Sequence, residues 1–227
     1  VTTLVPSLTP TFGSNTPGAN QFTGSVTNYD TSYNWIVNTS AGSFTWTSSA
    51  VNGTRTFSVT LLSDGQSSTV SITTQKSGAA DGFASTSGNA LLAALTPTFG
   101  TNTRTASGFD GSVTNYDSNY SFSLSASSGT VSPTTFSGTG TTKTFSVTGL
   151  SPGGSSTVTV NTSRSGYRSG SAATSSSALN AGLVPTFGAN ASGAGLFAGS
   201  VTNYDTNYTW SVSVSAGTFT WGSIPAI

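Results

Sequence analysis

The chain has 227 residues, of which 5% are charged, and its formal net charge is +0. This balance argues against nucleic acid and anionic membrane surfaces as partners, because both attract clustered Lys and Arg. The absence of His and Cys excludes a Ser-His-Asp triad, thiol chemistry and an imidazole metal site. Aromatic residues reach 11% although only 34% of residues are hydrophobic, which favours small folded cores over disorder.

Two short motifs recur in a fixed order along the chain. Pro-Thr-Phe-Gly starts at Pro10, Pro97 and Pro185, and Val-Thr-Asn-Tyr-Asp follows each copy after the same interval. Because a fixed period of about 87 residues means that one structural unit has been copied, the sequence predicts three domains. Their expected bounds are 1–94, 95–182 and 183–227, and the third covers about half a unit. The joins are too short for flexible linkers, so neighbouring units are expected to touch.

Within a unit, apolar residues alternate with polar ones, which predicts antiparallel strands with one buried face. In chain order, the expected inward pairs of the first unit are Phe22 and Val26, Trp35 and Val37, Phe57 and Val59, and Val70 and Ile72. The second unit repeats most of this series. The third carries only Phe197, Val201, Trp210 and Val212. About seven strands in fewer than roughly 90 residues predict a β-sandwich.

The motifs carry a family resemblance over the whole chain. Leu-Thr-Pro-Thr-Phe-Gly, Asn-Tyr-Asp-x-x-Tyr-x-Trp and Gly-Leu-Ser-Pro-Gly resemble the Ig-like and fibronectin type III-like repeats of large bacterial surface or secreted proteins. The resemblance implies an all-β fold of tandem antiparallel β-sandwiches arranged end to end. Ser68 and Ser156 stand where fibronectin type III modules usually carry a Tyr, so the hydroxyl latch of a tyrosine corner is expected to be absent or replaced.

The repeated pentapeptide supplies a turn in each unit, with the residues Asn28, Tyr29, Asp30, Asn115, Tyr116, Asp117, Asn203, Tyr204 and Asp205. An Asp in such a turn usually accepts backbone N–H bonds two residues on. The alternative is a calcium site between units, because Ca²⁺ prefers several oxygen ligands, but the sequence has no D-x-D-x-D loop.

The remaining ionisable residues predict no catalytic, cofactor-binding or metal site. Asp64, Asp81 and Asp110 show no sign of converging, as a carboxylate pair for glycoside hydrolysis would need to do. Lys76 and Lys143 stand at different positions of the repeat, which argues against an intramolecular Lys–Asn bond in each core. Both are expected to be solvated surface charges.

Four aromatic residues are candidates for contact with a partner: Phe44, Trp46, Phe219 and Trp221. Residues two apart on a strand share a face, so each pair is expected either to pack in the core or to form a platform for sugar rings or another subunit. The second unit has Thr130-Val131-Ser132 near this position and no Trp. This difference favours a contact role.

The partial third unit leaves three explanations open. The chain is a piece of a longer array, the last residues close a smaller sandwich, or another subunit supplies strands by β-augmentation. We interpret the chain as a non-enzymatic extracellular or cell-surface protein, a spacer, stalk or fibre subunit that self-associates or adjoins further repeats. The alternatives are a carbohydrate- or surface-binding adhesin module and a phage virion decoration or tail-fibre protein. No cofactor is expected.

Overall fold

The computed structural model of the protein describes residues 6–222. These residues are all-β, and no helix among them has the length and apolar character needed to cross a membrane. The chain divides into a compact unit that ends at Leu179 and a second one that begins at Asn180. The predicted bounds of three domains stay a prediction.

Seven antiparallel strands form the first module. They are β1 (Thr16–Gly18), β2 (Gln21–Val26), β3 (Asn34–Thr39), β4 (Ser43–Trp46), β5 (Arg55–Thr60), β6 (Ser67–Gln75) and β7 (Gly82–Asn89). One sheet has the order β1-β2-β5-β4 and the other the order β3-β6-β7. These are the two sheets of a constant-type immunoglobulin sandwich, so the predicted Ig-like fold is confirmed.

The second module repeats this topology within the same unit. Its strands are β8 (Thr103–Thr105), β9 (Gly108–Val113), β10 (Ser121–Ala126), β11 (Thr130–Ser132), β12 (Lys143–Thr148), β13 (Ser155–Ser163) and β14 (Gly170–Ser177). The sheets have the orders β8-β9-β12-β11 and β10-β13-β14. The same alternating sequence has therefore folded twice into the same sandwich.

Each module has its own core, built from the residues that the alternation predicts. Phe22 of β2 is completely buried and meets Phe57 of β5 edge to face, with ring centroids 6.4 Å apart. Gly24 of β2 lies opposite Phe57 in the ladder, and a Cβ there would come within 2.5 Å of Cζ of Phe57 and still closer to Oδ1 of Asn15. Gly111 stands in the same relation to Phe145 in the second module, also at 2.5 Å. The glycine is required because a phenylalanine ring and an asparagine side chain, Asn15 or Asn102, lie directly on the backbone.

A buried serine stands where fibronectin type III modules usually carry the tyrosine of the corner, and its hydroxyl replaces the tyrosine latch. Ser68 is the second residue of β6 and is 1% exposed. Its hydroxyl donates to the carbonyl of Ala41 at 2.7 Å and accepts the N–H of the same residue at 3.1 Å. Ser156 makes the same two bonds to Ser128, at 2.7 and 3.2 Å. The hydroxyl thus ties the turn after the third strand to the sixth strand, and it gives a hydrogen-bond partner to both backbone groups of the turn residue.

The first and second modules meet at a hydrogen-bonded join. Leu92 donates its N–H to the carbonyl of Gly166 at 3.0 Å, and Arg168 donates its N–H to the carbonyl of Leu92 at 3.0 Å. Asp64, in the turn before β6, forms an ion pair with Arg168, in the turn after β13. Oδ2 of Asp64 and Nη2 of Arg168 are 2.7 Å apart. β6 and β13 are the sixth strands of the first and second modules. Asp64 precedes its sixth strand and Arg168 follows its own, so the two residues lie at opposite ends of their sandwiches. The two modules therefore meet end to end, as the resemblance implied.

The third copy, which comprises the described residues from Asn180 onward, has only the hairpin of β15 (Ala191–Gly193) and β16 (Leu196–Ala198). The sequence predicted a strand through Trp210 and Val212 and another through Phe219 and Trp221, and both predictions are wrong. In the first module the corresponding strands pair with β6 and β5. Residues 180–227 include no counterparts of β5 and β6, so the backbone of the third copy lacks those ladder partners.

Candidate functional site

The repeated pentapeptide forms the same turn in all three copies, and its Asn has a structural task. The side chain of Asn28 accepts the N–H of Thr11 at 2.8 Å and donates to the carbonyl of Thr9 at 2.8 Å. Asn115 and Asn203 make the equivalent pairs of bonds at 2.8 to 2.9 Å. The amide thereby fastens the segment around Pro-Thr-Phe-Gly to the turn, which explains why the two motifs recur together.

The Asp of the pentapeptide closes an Asx turn in each copy. Oδ1 accepts a backbone N–H two residues on, from Ser32 to Asp30 at 2.8 Å, and the bonds of Asp117 and Asp205 are 2.9 and 2.8 Å long. These bonds to the ionised form lower the pKa of Asp30 and the pKa of Asp117, with the backbone N–H as the main cause. Among residues 6–222, no group of three or more acidic residues is placed to hold a metal ion.

The aromatic residues of the first module form a cluster around a cation. Tyr29 stacks on Trp35 at 4.8 Å between ring centroids and meets Trp46 edge to face at 5.6 Å. The guanidinium of Arg55 lies 4.9 Å from the Tyr29 ring and 4.5 Å from the Trp46 ring, and its Nη1 donates to the Tyr29 hydroxyl at 2.7 Å. Phe44 packs on Trp46 at 5.0 Å. This is a cation–π cage closed by the first residue of β5.

The second module also places a cation on the Tyr of its pentapeptide, with different aromatic residues around it. Lys143, the counterpart of Arg55, lies 4.7 Å from the centroid of the Tyr116 ring. Phe136, from the loop after β11, meets Tyr116 edge to face at 6.1 Å and also packs on Phe122 at 6.0 Å. The second module therefore does have an aromatic group against its pentapeptide Tyr. The sequence comparison missed Phe136 because it lies on a loop at a different position of the repeat.

These contacts bear on two further interpretations of the sequence. Lys76 lies 4.8 Å from the Tyr33 ring, and its counterpart Arg164 lies 5.4 Å from the Tyr120 ring. Lys76 is an exposed surface charge, as predicted, and Lys143 is half-buried; each also lies against an aromatic ring, which the sequence did not predict. Phe44 and Trp46 are half-buried and pack against the core of the first module, so the difference between the first two modules no longer favours a contact role for them.

The third copy has the aromatic cluster without the cation. Tyr204 stacks on Trp210 at 5.2 Å and meets Trp221 edge to face at 6.1 Å, while Phe219 and Trp221 are 5.0 Å apart at 88°. Nε1 of Trp210 donates to the carbonyl of Asp205 at 2.8 Å, as Trp35 does to Asp30. The rings of Tyr204, Phe219 and Trp221 are 57%, 44% and 50% exposed. Residues 180–227 contain neither Lys nor Arg.

Comparison with known proteins returns structural likeness only. No protein-family model and no curated protein matches the chain. The structure of the Yersinia pseudotuberculosis adhesin InvE is similar over 71% of this chain and 56% of its own, with 17% identity and a TM-score of 0.28. The D0–D1 domain of intimin is similar over 70% of this chain and 94% of its own, with 12% identity and a TM-score of 0.27. The chain thus spans little more than half of the InvE structure, and such similarities concern the Ig-like fold alone.

Proposed function

We propose that this chain is a non-enzymatic structural protein of the cell exterior, a spacer, stalk or fibre subunit built of Ig-like repeats. The observation that carries the proposal is the join between the first two modules. Two backbone hydrogen bonds through Leu92 and the Asp64–Arg168 ion pair connect opposite ends of successive sandwiches. Such a join restrains neighbouring modules, which is what a spacer requires and a flexible string of binding domains does not.

The external location rests on the composition and on the resemblance of the repeats to those of bacterial surface and secreted proteins. The self-association or further repeats that a fibre requires are part of the same proposal. No described cluster of ionisable residues supports an enzyme.

The experiment is a distance measurement between spin labels on the first two modules. Because the chain has no Cys, Ser85→Cys and Ala173→Cys place labels on exposed positions of β7 and β14 without competing thiols. A rigid join gives one narrow distance distribution. Replacement of Leu92 by a flexible Gly-Ser-Gly-Ser segment is the matched control and should broaden it. A distribution that is equally broad in both proteins would overturn the spacer proposal.

A second candidate, carbohydrate binding, is favoured by one observation, the exposure of Phe219 and Trp221 in the third copy. Trp46 does not share this property, because the guanidinium of Arg55 already lies on its ring. A glycan array probed with the full chain and with Trp221→Ala tests the candidate. Signals that disappear with Trp221→Ala and persist with Trp46→Ala would support binding by the third copy.

A further inference from the structure

We propose that the Asn52-Gly53 dipeptide is a site of spontaneous deamidation, and that its isoaspartyl product weakens the cation–π cage of the first module. This property goes beyond the proposed function and does not depend on it. A rigid join between two modules and a reactive turn inside one of them are separate features, and each can fail alone.

Asn52 and Gly53 form the two-residue tip of the hairpin between β4 and β5. Val51 and Thr54 flank them and exchange two backbone hydrogen bonds of 2.9 Å. Both central residues have a positive φ, 49° at Asn52 and 74° at Gly53, as a type I′ turn requires. Asn-Gly is a preferred sequence of that turn, and it occurs once in the 227 residues.

The turn leaves the reacting groups accessible. Asn52 is exposed, and the N–H of Gly53 donates to no backbone carbonyl among residues 6–222. Gly53 has no Cβ to hinder an attack by its own nitrogen. Apart from its chain neighbours, the nearest atoms to a Cβ built on Gly53 are 3.9 Å away. The nitrogen of Gly53 is therefore free to react with the side chain before it.

The reaction needs only water. The backbone nitrogen of Gly53 attacks Cγ of Asn52, so that an N–Cγ bond forms and the Cγ–Nδ2 bond breaks. The side-chain nitrogen leaves as ammonia with the proton of the Gly53 N–H, and a succinimide remains. Water then cleaves one of the two bonds between the ring nitrogen and a carbonyl carbon. Cleavage at Cγ gives aspartate, and cleavage at the main-chain carbonyl carbon gives isoaspartate, whose backbone is one atom longer.

The two products differ in what they do to the turn. Aspartate fits, because Asp-Gly is also a preferred type I′ sequence. Isoaspartate lengthens the backbone of a turn whose ends are held together by the two hydrogen bonds between Val51 and Thr54. The carbonyl of Gly53 also accepts the N–H of Tyr29, at 2.6 Å. The longer backbone changes the spacing on which these three bonds depend.

The turn is directly connected to the cage. The guanidinium of Arg55 lies 4.9 Å from the centroid of the Tyr29 ring, and Arg55 follows Gly53 by two residues. A displaced Gly53 therefore affects both members of the pair, Tyr29 through its backbone bond and Arg55 through the chain. In the second module the N–H of Tyr116 donates to the carbonyl of Thr141 at 2.7 Å. Residues 121–160 contain no Asn, so the second module has the same bond without the reactive residue.

The test incubates the folded full chain at mildly alkaline pH and follows each Asn by peptide mass spectrometry, with isoaspartate quantified by isoaspartyl methyltransferase labelling. We expect Asn52 to convert at least about tenfold faster than Asn38, which is also exposed but precedes a β-branched Thr instead of a Gly. Hydrogen exchange of the incubated chain that contains isoaspartate should show a loss of protection at the Tyr29 amide. The Tyr116 amide should keep its protection.

Asn52→Gly is the matched control, because Gly-Gly also forms a type I′ turn and has no side chain that can cyclise. After the same incubation this variant should keep the protection of Tyr29, and freshly prepared Asn52→Asp should keep it as well. An Asn52 that stays intact in the folded chain while the urea-unfolded chain converts would overturn the proposal, because the turn would then protect the residue. Conversion without isoaspartate, or isoaspartate that leaves the exchange of Tyr29 unchanged, would overturn it as well.

Discussion

The first module and the third copy start from closely similar sequences and reach different structures. Their pentapeptide turns agree in detail: the Asn bridge, the Asx turn and the stacked Tyr–Trp pair are present in both. Their strands do not agree, since Phe22 is 0% exposed and Phe197 is 70% exposed. The comparison separates local from non-local structure. These turn features join residues at most 19 positions apart, which both copies contain, whereas a strand and its buried face need a partner from elsewhere in the chain.

Removal of the equivalent phenylalanine ring should affect the first module far more than the third copy. Phe22→Ala removes a fully buried ring and should destabilise the first module by about 3–5 kcal/mol. Phe197→Ala should change the stability of the third copy by no more than about 0.5 kcal/mol, because its ring is mostly in water. Hydrogen exchange measured by mass spectrometry resolves the two regions within one chain. Equal losses of protection in the two variants would show that Phe197 is buried in solution.

The serine latch, the pair of hydrogen bonds made by Ser68 or Ser156, is found in the first and second modules. Ser68→Ala leaves the N–H and carbonyl of Ala41 without their partner and should destabilise the first module by about 1–3 kcal/mol. Ser156→Ala should have the same effect on the second module alone. Ser85→Ala, at an exposed position of β7, is the control and should be close to neutral. Urea unfolding with module-resolved hydrogen exchange measures all three, and a neutral Ser68→Ala would contradict the latch.

The ion pair at the join tests whether the first and second modules stabilise each other. A double-mutant cycle with Asp64→Asn and Arg168→Gln should give a coupling of at most about 1 kcal/mol, because both side chains are partly exposed. The coupling should decrease as salt is raised. Asp81→Asn, which affects a contact to Gln75 within the first module, should show no coupling to Arg168→Gln. Coupling of that control to Arg168 would place the effect outside the join.

The smallest expected effect concerns the turn that the copies share. Because the pKa values of Asp30 and Asp117 are lowered in the folded chain, their contribution to stability is present above the unfolded pKa. It is lost as the pH falls through the lower folded pKa, below about pH 4. Asp30→Asn keeps the acceptor oxygen and should remove this pH dependence from the first module. NMR titration of the carboxyl carbons checks the direction, and a titration of Asp30 above its ordinary pKa would contradict it.

Much of the fold could be predicted from alternation and repetition. The inward positions of Phe22, Val26, Phe57 and Val59 follow directly from a period of two, because neighbouring side chains of a strand point to opposite faces. The closed sandwich and the end-to-end order were implied by the resemblance. The site was less predictable. In the second module Phe136 packs on the pentapeptide Tyr where the first module uses Trp46. Phe136 lies on a loop and Trp46 on a strand, so an alignment of the two copies does not pair them.

The cation beside the pentapeptide Tyr can be recognised in the sequence, although not from the spacing of the aromatic residues. Arg55 and Lys143 precede identical five-residue segments, so a charge is maintained where its identity is not. The ion pair between Asp64 and Arg168 left no such signal, since the two residues are 104 positions apart in the sequence.

By itself, the sequence determined the local features of this protein: the turns, the alternation of each strand and the repetition of one unit. These depend on residues a few positions apart, so they are the same in each copy. Only the tertiary structure decided which alternating segments become strands, which aromatic rings are covered and how successive sandwiches are joined. Those outcomes depend on backbone partners and packed surfaces that are distant in sequence, and the third copy shows the result when the central strand is not among the residues present.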